Sequence, residues 1–290
     1  MRALSPALQA ALLMTSAAAI TAFQNALIRL LSDSGIHPFE IAFFRSSFGF
    51  VAMAVVMLVR ERAWPRTAAM RSLGASSLFH LAAMLSFFYG LSLVPLADSA
   101  ALTFTAPLFG TLAAAFFLGE KVHARRWVAI TIGFVGVLIV VRPGVVPFSL
   151  GPGLVLFSTV AFAGVTVLVK RMAATERTTT VVFYQSLFMS FLTVPPAAMF
   201  WSTPSPFHFL LLVGLGALST VGWLCFTRAF ALADASAILP LEFTRLPFVA
   251  VLGYVIFAEV PDIWVWVGAV VIFGSSLSIA HRENAAARKG

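Results

Sequence analysis

Two side chains of opposite charge stand three positions apart in a long apolar run near the carboxyl end of the sequence. Glu242 and Arg245 lie five and eight residues beyond the start of the run Ala237–Phe257. Their i, i+3 spacing puts both on one face of a helix, close enough to pair. The pair could bind a zwitterion, with Glu242 taking the ammonium group and Arg245 the carboxylate. An ion pair that fixes this helix to its neighbours is the alternative.

Aromatic and polar side chains in other apolar runs complete the candidate substrate site. Aromatic rings can line a cavity for a flat or amphipathic solute, and an arginine can stack on them. These further candidates are Tyr89, Phe104, Trp223, Arg228, Tyr184, Gln185, Gln24 and Asn25. For the aromatic residues, the alternative is packing against lipid or other helices. For the amides it is hydrogen bonding between helices, and for Arg228 it is reaching the lipid headgroups.

Other residues are expected to have a structural or coupling role. Arg45 lies about two turns into its apolar run, where we expect it to be anchored near Glu40 or by carbonyl groups. His80 could carry a coupling proton, or it could be a buried neutral histidine. The five histidines stand singly, and Cys225 is the single cysteine, so we predict no metal site and no cofactor. A glycine-rich nucleotide loop followed by lysine is also missing.

The composition indicates which solvent surrounds these residues. Apolar residues make up 60% of the 290 positions and charged residues only 10%, whereas a soluble domain has about 25% charged residues. The formal charge of +8 does not indicate a nucleic-acid partner, because the basic residues fall in short gaps between apolar runs and form no basic face on a soluble module. The sequence therefore predicts an all-α integral membrane protein in contact with the lipid bilayer.

Ten apolar runs are candidates for membrane spans. A hydrocarbon core about 30 Å thick requires about 20 residues of helix, and the fifth run is the short one. The predicted spans are Ala7–Leu31, Phe39–Val59, Ser72–Leu93, Ser99–Leu118, Trp127–Val141, Leu150–Val169, Thr180–Trp201, Phe207–Ala231, Ala237–Phe257 and Ile263–Ala280.

Basic residues orient these spans. Most of the 19 Lys and Arg residues fall at the amino terminus, in the tail and in alternate connectors, which marks the cytoplasmic side. Those of the connectors and the tail are Arg60, Arg62, Arg66, Arg71, Lys121, Arg125, Arg126, Lys170, Arg171, Arg177, Arg282, Arg288 and Lys289. The opposite connectors hold only Arg142, with Arg29 near the end of span one. We therefore expect a bacterial inner-membrane protein with both termini in the cytoplasm.

The two halves of the chain resemble one another at a shift of 139 positions. Glu120 falls on Glu259, and Leu102–Phe109 falls on Leu241–Phe248 with the proline displaced by one residue. Glu120 and Glu259 each stand at the end of the fourth span of a five-span unit. The sequence thus predicts an internal duplication.

The duplication divides the chain into two five-helix repeats, residues 1–145 and 146–290. Because five is an odd number, two such units in one membrane must point in opposite directions. Inverted repeats are common in secondary transporters, whose halves rock around a midplane site. Proline in spans four and nine removes backbone donors and frees carbonyl groups, which could serve gating or could only kink the helices. These prolines are Pro107, Pro240 and Pro247.

Short motifs occur in a characteristic order along the first half. They are His37–Arg45, Thr105–Phe109, Leu118–Lys121, Arg126–Trp127, Gly133, Gly136 and Arg142–Gly144. With the ten spans and the duplicated unit, they make the chain resemble the EamA branch of the drug/metabolite transporter superfamily over essentially its whole length. The resemblance implies a basket of helices around a central cavity walled by spans three, four, eight and nine. It also implies export of amino acids and related metabolites.

The second half departs from the family pattern. Phe257–Val260 replaces the glycine form of the motif, and Glu242 and Arg245 are additional polar residues. Taken together, the sequence predicts a secondary transporter that moves a small amphipathic or zwitterionic metabolite by alternating access, with export of amino-acid-like solutes favoured. A coupling ion such as H⁺ is a possible partner.

Two alternatives stay open. Within the same class, the chain could take up a larger aromatic metabolite, such as a riboflavin-type vitamin or an S-adenosylmethionine-like compound. From another class, it could be a membrane-embedded enzyme or a scaffold. We predict that it is not an enzyme, because no catalytic polar residues cluster at one predicted interface.

Overall fold

The structure is a computed structural model. It describes residues 6–61, 65–106, 108–109, 112–113, 124–142, 149–173, 175–232, 241, 244–272 and 274. Within these ranges all regular secondary structure is helical. The prediction of an all-α chain is therefore confirmed for this part of the protein.

Eleven α-helices are described. They are α1 (Pro6–Asp33), α2 (Pro38–Val56), α3 (Met70–Leu91), α4 (Leu96–Thr103), α5 (Ala124–Val141), α6 (Leu150–Ala173), α7 (Thr178–Leu192), α8 (Val194–Met199), α9 (Pro206–Leu232), α10 (Arg245–Phe257) and α11 (Ile263–Ile272). A π-helical turn, Met57–Glu61, continues α2.

Six helical segments in the described chain are long and apolar enough to cross a membrane. They are Leu8–Asp33, Pro38–Val59, Met70–Leu91, Leu150–Val169, Thr179–Met199 and Pro206–Phe226. They coincide with predicted spans one, two, three, six, seven and eight. Spans four, five, nine and ten are described in part, by α4, α5, α10 and α11, so the ten-span architecture stays a prediction.

The outer faces of these helices suit lipid. On α2 and its π-helical extension, Val51, Val55, Leu58 and Val59 are all exposed, Val59 to 70%. They recur at helical spacing, so they form one apolar stripe. Lipid accepts such a stripe at no cost, whereas a soluble monomer rarely exposes a large contiguous apolar patch.

The turn between α1 and α2 shows how local sequence ends one span and starts the next. The N–H of Gly35 donates to the Ser32 carbonyl and that of Ile36 to the Leu31 carbonyl, a Schellman ending that requires the positive φ of +91° at Gly35. His37 then caps α2, because its Nδ1 accepts the N–H of Phe39 at 3.2 Å.

Helices from the two halves of the chain interleave. Helix α3 packs along α6. Helices α1 and α2 both pack against α9. Helix α10 packs against α1 and α4. Gly90 of α3 allows a close approach, since a Cβ there would lie 2.9 Å from Cγ2 of Val155 and 3.1 Å from its backbone nitrogen. The largest buried core joins side chains of α1, α2, α3, α9 and α10. Polar side chains on these helices are therefore brought to the contacts between the halves.

Candidate functional site

Arg245 joins the second half of the chain to the first. It is the first residue of α10, and its Nη2 donates to Oγ1 of Thr103 at 2.6 Å. Its guanidinium lies 5.2 Å from the centre of the Phe104 ring, a cation–π contact. Two of the predicted site residues, Arg245 and Phe104, are thus in direct contact at the end of α4. The predicted partner Glu242 lies outside the described residues.

Pro247 lies near the start of the helix described in predicted span nine. The helix begins at Arg245, so Pro247 stands in the first turn of α10. Backbone N–H groups in the first turn have no acceptor within the helix, so proline breaks no hydrogen bond there. Within the described helix α10, Pro247 therefore removes no backbone hydrogen bond. Pro107 and Pro240 lie outside the described residues.

Several predicted substrate residues hold helices together. Gln24 on α1 accepts a hydrogen bond from Oγ of Ser219 on α9 at 2.7 Å. Gln185 on α7 donates to Oγ of Ser76 on α3 at 2.9 Å, and the hydroxyl of Tyr184 donates to the Pro65 carbonyl at 2.7 Å. The contacts of Gln24 and Gln185 are hydrogen bonds between helices, the alternative considered for the amides. Asn25, next to Gln24, is 6% exposed.

The described contacts of the remaining aromatic candidates are with other aromatic side chains. Tyr89 at the end of α3 lies 6.0 Å, ring centre to ring centre, from both His37 and Phe39. Trp223 on α9 stacks on Phe226 at 5.3 Å. Arg228 is exposed on the same helix.

Glu40 and Arg45 have different partners from the ones expected. The Oε2 of Glu40 accepts from the backbone N–H of Ser202 at 3.0 Å and from its hydroxyl at 2.8 Å. Nη1 of Arg45 contacts Sδ of Met84 at 3.4 Å, and its guanidinium lies 5.7 Å from the Phe88 ring. Five residues along a helix turn a side chain by about 140°, which explains why Glu40 and Arg45 face different neighbours.

Sequence reasoning missed an ion-pair cluster, formed by Arg29, Glu259, Arg142 and Asp262. Nη2 of Arg29 lies 2.8 Å from Oε1 of Glu259, and Nη2 of Arg142 lies 2.6 Å from Oδ2 of Asp262. Both pairs join the first half to the second. Three signals could have found the cluster: Glu259 is a landmark of the duplication, and Arg29 and Arg142 are the two exceptions to the positive-inside pattern.

Backbone groups fix the Arg29–Glu259 pair. Nη1 of Arg29 also donates to the Val94 carbonyl at 2.6 Å, and Oε2 of Glu259 accepts the N–H of Leu96 at 2.9 Å. Glu259 follows Ala258, which ends α10 with a φ of +53°. The chain before α4 is thereby held to the chain after α10.

A cavity of about 200 Å³ lies beside this cluster. Its acidic lining residues are Asp98, Glu259 and Asp262. Burial, and after it the nearby Glu259 carboxylate, raises the pKa of Asp98 to about 6. Asp98 lies in the first turn of α4, one residue before the predicted fourth span. It can bind a proton near neutral pH, and it is not among the candidate residues predicted from the sequence.

Comparisons with known proteins place this geometry in context. Residues 8–142 and 149–280 match the profile of the EamA-like transporter family. The S-adenosylmethionine uptake transporter of Rickettsia bellii is 30% identical over 256 residues, 88% of this chain and 87% of that protein. The riboflavin transporter of Vibrio cholerae is 31% identical over 197 residues, 68% of this chain and 66% of that protein.

A third relative is named for export, whereas the Rickettsia bellii relative is named for uptake. The pseudopaline exporter CntI of Pseudomonas aeruginosa is 27% identical over 267 residues, 90% of this chain and 92% of that protein. One solved crystal structure covers 92% of this chain and 94% of its own, with a TM-score of 0.64 at 18% identity. That likeness concerns the fold alone.

Proposed function

Since the chain belongs to the EamA-like transporter family, we propose that it is a secondary transporter, and not an enzyme, that carries a small organic metabolite through a bacterial inner membrane. Its relatives are named as transporters of small molecules. In the proposal, residues 1–145 and 146–290 are inverted repeats that rock against each other around the cargo.

The contact of Arg245 with Thr103 and Phe104 carries the proposal. It brings a guanidinium of the second half to a hydroxyl and a ring of the first half. A charged group inside a membrane protein marks a functional site by default. A cargo bound beside Arg245 would touch both halves, as alternating access requires.

The ion-pair cluster supports one closed gate in this mechanism. Arg29–Glu259 and Arg142–Asp262 each cross between the halves. With both termini in the cytoplasm, these pairs lie at the extracytoplasmic end of the bundle. They would have to separate whenever the cargo site opens to the outside. Asp98 in the cavity beside them is a candidate for H⁺ coupling.

The proposed cargo is a zwitterion with an aromatic group, of the S-adenosylmethionine-like kind. The Rickettsia bellii relative is named for uptake of that compound, and Arg245 stacked on Phe104 offers charge and a ring together. The riboflavin transporter supports a flat aromatic cargo as the second candidate. Export of amino-acid-like solutes, favoured from the sequence, has the exporter among the relatives in its favour.

Uptake by proteoliposomes tests the proposal. Purified protein would be reconstituted and given radiolabelled S-adenosylmethionine, riboflavin or amino acids in separate experiments. We expect accumulation of S-adenosylmethionine, its loss with Arg245→Met, and its retention with Arg71→Gln, which removes an exposed arginine at the start of α3. Equal uptake by the Arg245→Met variant, with all three proteins in the membrane at equal amounts, would refute the role of Arg245.

A further inference from the structure

Four buried polar atoms on α2 and α3 have no hydrogen-bond partner in the described parts of the chain. One is Oε1 of Glu40, whose other carboxylate oxygen accepts two hydrogen bonds from Ser202. The other three are Nε of Arg45, Nδ1 of His80 and Oγ of Ser77. A buried polar group without a partner costs about 1–3 kcal/mol, and more when it is charged. A protein keeps such groups where a ligand supplies the partner, so their common location is informative.

The three residues face the same region of the bundle. Ser77, His80, Met84 and Phe88 follow one another at intervals of three, four and four residues on α3, so they share one face of that helix. Arg45 extends along this face, since it contacts Met84 at 3.4 Å and lies over the Phe88 ring at 5.7 Å. His80 stands about one turn before Met84 on that face.

The described partners do not satisfy Arg45. A guanidinium has five N–H donors, and a thioether sulfur is a weak acceptor. No Asp or Glu carboxylate among the described residues lies within ion-pair distance of Arg45. Arg29, by contrast, has the Glu259 carboxylate at 2.8 Å and the Val94 carbonyl at 2.6 Å. A cation held at membrane depth in this way needs an anion.

Arg45 lies inside the bundle but is not completely buried. Its neighbours Ser46, Met84 and Phe88 are each less than a tenth exposed, which places the arginine inside the bundle. Arg45 and His80 nevertheless keep part of their surface accessible.

We infer that Arg45, with His80 and Ser77, forms a subsite for the carboxylate of the transported metabolite. The inference rests on the proposed function and narrows its cargo. Arg45 donates two parallel hydrogen bonds to the carboxylate, the geometry that a planar guanidinium favours. The hydroxyl of Ser77 and a ring N–H of His80 donate further hydrogen bonds to that carboxylate. Arg245, which already donates to Thr103, then contacts the rest of the cargo.

The assignment predicts which cargo the protein accepts. S-adenosylmethionine has a carboxylate, whereas riboflavin has none. The subsite therefore favours the former and discriminates against the latter. A protein with this subsite also discriminates against an amine that differs from its cargo only by loss of the carboxylate, because the guanidinium would again be buried without an anion.

Ligand binding to the purified full-length protein tests the inference. The probes are S-adenosylmethionine and its decarboxylated form, together with methionine and the corresponding amine, measured by calorimetry and thermal shift. The proteins are the unsubstituted chain, Arg45→Lys, Arg45→Gln and the matched control Arg71→Gln. We expect a carboxylate compound to bind at least tenfold more tightly than its amine, and Arg45→Gln to abolish that preference. Arg45→Lys should keep part of it, and Arg71→Gln should keep all of it.

Each other outcome has a definite meaning. If an amine binds as tightly as its carboxylate partner, the subsite assignment is wrong while the proposed transport function stands. If none of the four probes binds the unsubstituted chain, the proposed cargo class fails as well. Repeating the titration in methanesulfonate instead of chloride separates the two sources of anion. Chloride-dependent stabilisation that Arg45→Gln removes, without a preference among the probes, would assign the site to an inorganic anion and overturn the inference.

A second variant, His80→Gln, distinguishes loss of the subsite from loss of the folded structure. His80→Gln keeps a polar side chain of similar size at the same face of α3. It should weaken binding of the carboxylate compounds and leave binding of the amines unchanged. Equal weakening of both kinds of probe would indicate a structural role for this face and contradict the subsite.

Discussion

Nη2 of Arg29 lies 2.8 Å from Oε1 of Glu259, so that a residue of α1 is joined to the chain between α10 and α11. Both side chains are less than a fifth exposed, which makes this pair stronger than a pair on an open surface. The pair also contacts backbone groups of Val94 and Leu96. The ion pair and these two hydrogen bonds thus connect the two halves of the chain.

Breaking this pair should destabilise the protein. Glu259→Gln leaves the partly buried Arg29 with only the exposed Asp33 carboxylate, 3.9 Å away, so we expect a loss of about 2 kcal/mol of stability. The exchange Arg29→Glu with Glu259→Arg should restore only part of it, because an arginine at 259 cannot accept the N–H of Leu96. Thermal unfolding in detergent measures both the loss of stability in Glu259→Gln and its partial restoration in the exchange variant. Full restoration by the exchange would contradict the role of the Leu96 contact.

Asp98 should make stability depend on pH. Its pKa is raised from 3.8 to about 6 in the folded protein, so the folded state holds the proton more tightly than the unfolded state. The stability that Asp98 contributes is therefore fully present below about pH 4 and is lost as the pH rises through about 6. Melting temperatures between pH 4 and 7 should fall for the unsubstituted chain and change less for Asp98→Asn.

A matched substitution checks that dependence. Asp33→Asn removes a carboxylate that is 52% exposed and lies 3.9 Å from Nε of Arg29. It should leave the change between pH 4 and 7 as it is in the unsubstituted chain. A slope that persists in Asp98→Asn would show that another group carries the pH dependence.

Ala258 occupies a backbone conformation that suits glycine. Its φ is +53°, and the left-handed region costs a non-glycine residue about 1–2 kcal/mol. Ala258→Gly should therefore stabilise the protein by up to about 1 kcal/mol, since glycine also gains freedom in the unfolded chain. The same change in the middle of α2, Ala52→Gly, should destabilise it by about 1 kcal/mol. Equal destabilisation by both would contradict the strain at Ala258.

Gln24 should act through helix packing. Its Oε1 accepts the hydroxyl of Ser219 at 2.7 Å, and such bonds between membrane helices contribute about 0.6 kcal/mol on average. Gln24→Ala and Ser219→Ala should each lower stability, and the double variant should lose less than the sum of the two. Affinity for the cargo should change less than twofold. A large loss of affinity with additive stabilities would return Gln24 to the substrate site.

The sequence predicted the helices better than their contacts. Membrane spans are detectable in a sequence because each needs about 20 consecutive, mostly apolar residues. The described long helices coincide with predicted spans. The effect of Pro247 on its helix was harder to predict. A proline in the first turn of a helix and a proline in the interior of a helix look alike in an apolar sequence. The contact between Arg245 and Phe104 was likewise invisible, since the two residues are far apart in the chain.

Partners of buried charges depend on tertiary packing. Glu40 and Arg45 are close in sequence, yet the rotation of α2 directs one toward Ser202 and the other toward Met84. Arg29 and Glu259 are far apart in sequence and meet in the fold. The positive-inside exceptions were visible as a pattern, but only the structure supplies the carboxylates that hold them.

Exchange of labelled cargo across a proteoliposome membrane tests the central claim most directly. Vesicles containing the protein would be loaded with unlabelled S-adenosylmethionine and placed in a trace of the radiolabelled compound. A carrier that alternates between two open states should take up the label faster in loaded vesicles than in empty ones, and Arg245→Met should abolish the difference. Label uptake that is absent, or that is the same in loaded and empty vesicles, would contradict alternating access to a shared site.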